Sequence, residues 1–195
     1  MKKIKPLQML GLGLILCGLL ALLVGYAQGQ LALKQNGKAL SQIQSILPPV
    51  NPGVMDQYAD MQMPSLEVEG YDYVALLEVP SYGVKLPVRS QWSRLGVANC
   101  PSRFYGTVYD GSLIIGGKHS QGQFGFLSQL QNGDQVLVTD MTGAQFAYRV
   151  AMIYRGDSAD AETLMDAEYD LTLFARNSAG LEYIIVRCKV DAATK

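Results

Sequence analysis

A mainly β fold, a closed or nearly closed antiparallel barrel with short helices carried on a single N-terminal transmembrane helix, is what this chain predicts, and three observations predict it. An uncharged apolar run fills residues 9–27, directly after Lys2, Lys3 and Lys5. Beyond Gly70 come short segments rich in Val, Ile, Tyr and Leu, separated by turn residues at the spacing of barrel strands rather than of a βαβ layout. Only "FGFLSQLQ" and "SADAETLM" have a helical pattern, and both are brief. The bulk numbers agree with this reading: 195 residues, 49% apolar, suffice for one domain plus an appendage. A net charge of −1, from 16 basic and 17 acidic side chains, leaves no electrostatic footprint for nucleic acid.

Taken in order, residues 1–8 form a basic tail and residues 9–27 the anchor, close to the roughly 20 apolar residues that cross a bilayer core in helix. Lysines before the run and none directly after it put the N-terminus in the cytoplasm and the rest outside, which makes the chain a single-pass protein of the cell membrane. A cleaved signal peptide is the competing reading, but its apolar stretch is typically about 7–15 residues. This run is longer, and no clear small-x-small cleavage site follows it.

Leu33, Leu40, Ile43, Ile46 and Leu47 recur among Gln, Lys and Ser, the pattern of an amphipathic helix continuing out of the membrane. "PPVNPG" breaks that helix, and the polar stretch to Pro64 reads as linker, so residues 28–69 are a helical stalk and linker and residues 70–195 the barrel domain. The strand candidates are "YDYVALLEV", "YGVKLPV", "SLIIGG", "DQVLVTD", "AQFAYRVAMIY", "YDLTLFA" and "EYIIVRCKV". Pro80, Asn132-Gly133-Asp134, Thr142-Gly143 and Ala179-Gly180 mark the turns between them, with the acidic residues of "QNGD" and "TDMTG" capping theirs. Trp92 and the pair Tyr71 and Tyr73 suit barrel packing or the lining of a groove.

Of three cysteines, Cys17 lies in the apolar run as a small apolar residue. Cys100 and Cys188 would both face the oxidising side of the membrane, where a bridge between them is chemically possible and geometry decides. Asp110 and Glu78 are too isolated to be metal ligands, and no metal or cofactor is expected.

The stretches "YVALLEVPSYGVKLPV", "ANCPSRFYG", "SLIIGGKHSQGQFGFLSQLQNGDQVLVTD", "FAYRV" and "LTLFARNSAGLEYIIVRC", in this order over residues 70–190, resemble the sortases, membrane-anchored cysteine transpeptidases of Gram-positive bacteria. The resemblance implies an eight-stranded β-barrel. It also implies a chemistry in which a cysteine ending one strand attacks a peptide carbonyl to give a thioester, a histidine serves as acid or base, and an arginine on the following strand steadies substrate or oxyanion. The thioester then passes to an amine acceptor.

Carried onto this chain, the strand that should end in Thr-Cys is Thr172-Leu173-Phe174-Ala175-Arg176, which puts Arg176 at the cysteine position and Ala175 at its threonine neighbour. The ungapped spacing from Gly117 to Phe124-Gly125 puts Lys118 at the histidine position, with His119 one place later. Tyr183, in "YIIVRC", falls at the arginine position, and Arg187 matches a second, structural arginine of that run. A guanidinium offers no accessible deprotonated form and no lone pair, so no thioester forms on Arg176.

His119 is the sole histidine of the chain and fits an exposed loop residue better than a shifted catalytic one. Lys118 becomes an amine nucleophile only if burial beside Arg176 desolvates it; otherwise the two cations suit a carboxylate-bearing peptide or a phosphate. Ser120 and Ser178 read as turn residues, and Cys100 and Cys188 as buried thiols rather than relocated nucleophiles.

The expected function is therefore a non-catalytic, membrane-anchored, extracytoplasmic sortase homologue that holds an extended peptide, the sorting signal of a surface protein or pilin, as a binding or assembly factor. The alternative is an active transpeptidase or hydrolase that uses His119 or Lys118 to cleave such signals and link them to an amine; a third is a decayed product that only folds.

Overall fold

The computed structural model describes residues 6–55, 58, 61–93, 96–177 and 182–192. Helix α1 (Pro6–Ile46) leads into strands β1 (Asn51–Pro52), β2 (Leu66–Val68), β3 (Tyr71–Val79), β4 (Val84–Arg89), β5 (Ser102–Tyr105), β6 (Leu113–Lys118), β7 (Gln135–Asp140) and β8 (Ala144–Gly156). Helix α2 (Ala161–Leu164), β9 (Leu171–Arg176) and β10 (Tyr183–Val190) complete the chain. Eight strands close a barrel in the order β8-β10-β9-β6-β5-β4-β3-β7, with β7 returning to β8; β1 and β2 are additions at its rims.

The predicted strand segments all form strands. "SRFY" forms β5 although its pattern did not mark it, and β1 and β2 are similarly short. The expectation of an antiparallel barrel is corrected: β4 pairs β5, β6 pairs β9 and β1 pairs β8 in parallel. The parallel pair β6/β9 is possible because a long connection through β7, β8 and α2 carries the chain back to the same end of the barrel. The helical stretches shrink to a 3₁₀ segment, Phe124–Ser128, and the single turn of α2, capped by Asp160 accepting the Thr163 N–H at 2.8 Å.

Period-two alternation sorts each strand between two faces. Leu113, Ile115, Leu171, Leu173, Ala175, Ile184, Val186 and Cys188 point into the core with Phe124, Phe146 and Tyr148. Ile114, Phe174 and Ile185 point outward, yet are covered by Leu164 and the partly buried Trp92 and Phe104. Inside the barrel, Asp140 is fully buried; its Oδ2 accepts from Tyr109 Oη at 2.7 Å, and its Oδ1 accepts from the backbone N–H groups of Thr142 and Ala144. The acidic residue of "TDMTG" thus caps its turn and also ties the turn to the core.

Helix α1 is continuous from the apolar run into the segment beside the barrel. Its part from Gly11 on contains the one helix among the described residues that is long and apolar enough to cross a membrane, and residues 12–27 are exposed. Lower down, Ala32, Asn36, Ala39 and Ile43 are buried at intervals of three and four residues, the period of a packed helix face. Ile43 is fully buried with Val68, Tyr73, Leu76 and Cys100, worth about 2 kcal/mol for a side chain of that size. Ile46, expected on this face, is exposed instead. Pro48 ends the helix, because the residue before a proline is disfavoured in the α region. The following segment is anchored, not loose: Gly53 N–H donates to Gln145 O, and a Cβ on Gly53 would lie 2.7 Å from the Phe146 ring. The basic cluster Lys2, Lys3 and Lys5, the turn residues Ala179 and Gly180, and Ser178 lie outside the described residues.

Candidate functional site

Strand register sets the site. Lys118 on β6 is the cross-strand partner of Arg176 on β9, and Arg176 is in turn the partner of Tyr183 on β10. These three residues therefore form one row over three adjacent strands, with about 4.8 Å between neighbouring strands. One step inward along the strands, Gly117 and Ala175 face the core; two steps inward, Gly116, Phe174 and Ile185 form the next outward row. The three residues that the resemblance singled out thus stand side by side at the end of the outward face.

They edge a groove of about 820 Å³. Its floor is aromatic: Trp92 meets Phe104 edge-on with ring centroids 5.4 Å apart and lies tilted against Phe174 at the same distance. The glycine pair before Lys118 makes this floor possible. A Cβ on Gly116 would sit 2.2 Å from the Trp92 ring, and one on Gly117 would sit 2.6 Å from Phe124 on the core side. Val97, Ala98 and Ala159 supply the walls. The Arg176 guanidinium lies over the Tyr183 ring at 5.7 Å, which keeps the cation on the groove side of β9.

His119 and Ser120 also line the groove, so the lone histidine is part of the site and is half-buried. Lys118 and Arg176 are exposed. The burial that an amine nucleophile at Lys118 requires is not present in this structure. Ser120 is a turn residue as expected: its carbonyl accepts the N–H groups of Gln123 and Gly125.

The remaining thiols stand apart from the groove. Cys100 is buried with Sγ donating to Pro87 O at 3.2 Å, and burial pushes its thiol up to about 12. Cys188 is fully buried in the barrel core, and burial pushes its thiol up as well. Both are free, so the bridge left open from the sequence is not made. A protonated, enclosed sulfur is not a nucleophile.

Two further residues position the site, and one of them, Gln123, escaped the sequence reading. Gln123 is buried in a glycine-rich loop where a solvated polar side chain was the natural expectation. Its Oε1 accepts Lys118 N–H at 3.1 Å and its Nε2 donates to Ala98 O at 2.9 Å, tying the end of β6 to the opposite groove wall. Arg187, read as structural, donates through Nη2 to Thr163 O at 2.6 Å and to Tyr154 Oη at 3.2 Å, with Asp166 3.6 Å from Nη1. It fastens the β8–β9 connection, and with it the Ala159 wall, over the outer face. The partners themselves are not legible locally, since Ala98 lies 25 residues from Gln123 and Thr163 24 residues from Arg187. Elsewhere, Glu78 pairs with Lys85 at 2.8 Å and Asp110 accepts from the Thr107 and Ser112 hydroxyls of its own turn.

A family model described as Sortase domain matches residues 77–189. No curated protein matches the chain. Among solved structures, a Clostridium perfringens Sortase D5 transpeptidase is similar at 17% identity, covering 85% of this chain and 99% of that one, with a TM-score of 0.54. Sortase A from Corynebacterium diphtheriae, as a lid mutant, is similar at 16% identity over 70% of this chain and 89% of that one, TM-score 0.55. Clostridium perfringens sortase C, in a structure with the C-terminal cell wall sorting motif, is similar at 17% identity over 70% and 85%, TM-score 0.53. At these identities the likeness is one of fold.

Proposed function

The chain belongs to the sortase family, and from that premise we propose that it is a membrane-anchored member that holds an extended peptide in its groove without acyl transfer. The observation that supports this reading is the row Lys118, Arg176 and Tyr183, paired in register over three adjacent strands; the resemblance puts the family's histidine, cysteine and arginine at these positions. Transpeptidation needs an attacking atom that can leave a carbonyl acylated, and a guanidinium has none. The barrel's own sulfurs, enclosed and protonated, supply no substitute.

What remains is suited to binding. An aromatic floor and backbone-lined walls can take a peptide by apolar contact and by hydrogen bonds along the edge of an extended strand. A sortase of known structure carries a sorting motif, and the corresponding ligand here is the sorting signal of a surface protein or pilin. Helix α1 supports single-pass anchoring, with the barrel outside the membrane.

The test uses the full chain in a lipid nanodisc, incubated with a pooled library of extended peptides. Mass spectrometry of the intact protein should find peptides retained but no covalent acyl adduct, with or without a thiol alkylator. An adduct on any residue overturns the reading. The active alternative has one observation in its favour, the position of His119 in the groove lining. It requires peptide cleavage that stops in His119→Ala.

A further inference from the structure

Lys118 and Arg176 stand directly opposite each other across β6 and β9, both exposed and both pointing to the groove side. Like charges placed opposite each other on adjacent strands repel, and proteins commonly neutralise such a pair with a nearby carboxylate. None is at hand. The described residues that line the groove include no Asp or Glu, and neither cation has an ion pair among the described residues. Residues 94–95 and 178–181, outside the described set, contain no acidic residue in their sequence either. This concentration of positive charge belongs to a chain whose net charge is −1, and the groove is where it goes unanswered.

We propose that the groove takes its peptide by a carboxylate seated between Lys118 and Arg176. This rests on the reading that an extended peptide occupies the groove, and it specifies the peptide's chemistry. A planar guanidinium accepts a carboxylate through two parallel N–H···O bonds, and an ammonium adds a point charge beside it. The Tyr183 ring holds the guanidinium from one side, which reduces the freedom lost when the carboxylate arrives. The position is also the one at which a catalytic relative would meet a peptide carbonyl. A cation pair there favours a peptide that presents a full negative charge at that point: a chain ending in a free carboxylate, or an Asp or Glu side chain.

The experiment uses the full chain in nanodiscs of uncharged lipid and three hexapeptide pools of otherwise matched composition. One has free C-terminal carboxylates and no side-chain acid, one is C-terminally amidated with a single internal Asp or Glu, and one is amidated with no acid. At low salt, about 50 mM, the first or second pool should be retained about tenfold or more over the third, and whichever it is identifies the source of the carboxylate. The preference should vanish in Lys118→Gln/Arg176→Gln. Both side chains are exposed, so that variant should melt like the parent; Arg176→Gln alone serves as a second variant. Equal retention of all three pools overturns the carboxylate and leaves peptide binding standing. Retention of none overturns both, and a preference that survives the double variant removes the assignment to these two residues.

Discussion

Arg176 ends a strand in which Leu171 to Ala175 are all buried. The apolar run reflects burial on both faces: Leu171, Leu173 and Ala175 enter the barrel, while Phe174 lies under the aromatic cover. The first side chain to emerge is Arg176, and its place is legible from sequence because an uninterrupted strand keeps its count. Lys118 likewise closes β6, at the end of a run whose Gly116-Gly117 pair is read directly from the sequence. Gln123 was not legible, since its role is to tie Lys118 to Ala98, 25 residues away across the groove. If the strand end is as open as its exposure implies, Arg176→Cys creates a thiol that a maleimide labels within minutes at pH 7.5, in contrast to the enclosed Cys100 and Cys188. Intact mass should show one label more than in the parent, and still no acyl adduct with peptide, because Lys118 is no substitute for an imidazole base. Failure of the new thiol to label would mean that the strand end is covered.

At the scale of elements, the strands with clear β-branched and aromatic runs were readable, whereas β1, β2 and β5 were too short to show a period. Parallel pairing was hidden because strand order is a non-local property. The continuation of α1 beyond the apolar run is legible, and so is part of its packed face: Ile43, Leu40 and Leu47 pack as their spacing predicts, whereas the buried Ala32, Asn36 and Ala39 are small or polar and give no such signal. That face bears directly on the groove loop: Asn36 Nδ2 donates to Gly122 O at 3.5 Å, and a Cβ on Gly122 would lie 2.1 Å from Leu33. Gly122 has φ +83° and Gly133 φ +91°, but a Cβ on Gly133 meets open space. Replacing either with alanine incurs the left-handed penalty of roughly 1–2 kcal/mol. Only Gly122→Ala should also push the helix away. Hydrogen exchange across residues 32–43 should therefore quicken in Gly122→Ala and stay at the parent rate in Gly133→Ala. Equal rates in the two variants would mean that the helix does not bear on the loop.

For the whole molecule, the notable electrostatic feature is a set of buried acids that are neutral when folded. Burial pushes the thiols of Cys100, up to about 12, and of Cys188 upward, and it does the same to the phenols of Tyr109 and Tyr148. Unfolded, thiols titrate near about 8.5 and phenols near about 10. Below the thiol value both states hold these protons and the stability is fully present. As pH rises past it, the unfolded chain gives up protons that the folded chain keeps, so the unfolded state binds fewer and stability declines with pH. The decline continues until pH reaches the folded values, near 12 for Cys100. Each such group contributes a slope of about 1.4 kcal/mol per pH unit within its window. The melting temperature should therefore hold from pH 7 to pH 8 and then fall steeply between about pH 9 and pH 11. Cys100→Ser, whose hydroxyl does not titrate there, should reduce that slope even if its stability at pH 7 is lower. A melting temperature that stays flat to pH 11 would show that these groups exchange freely with solvent and that the barrel interior is wetter than its packing implies.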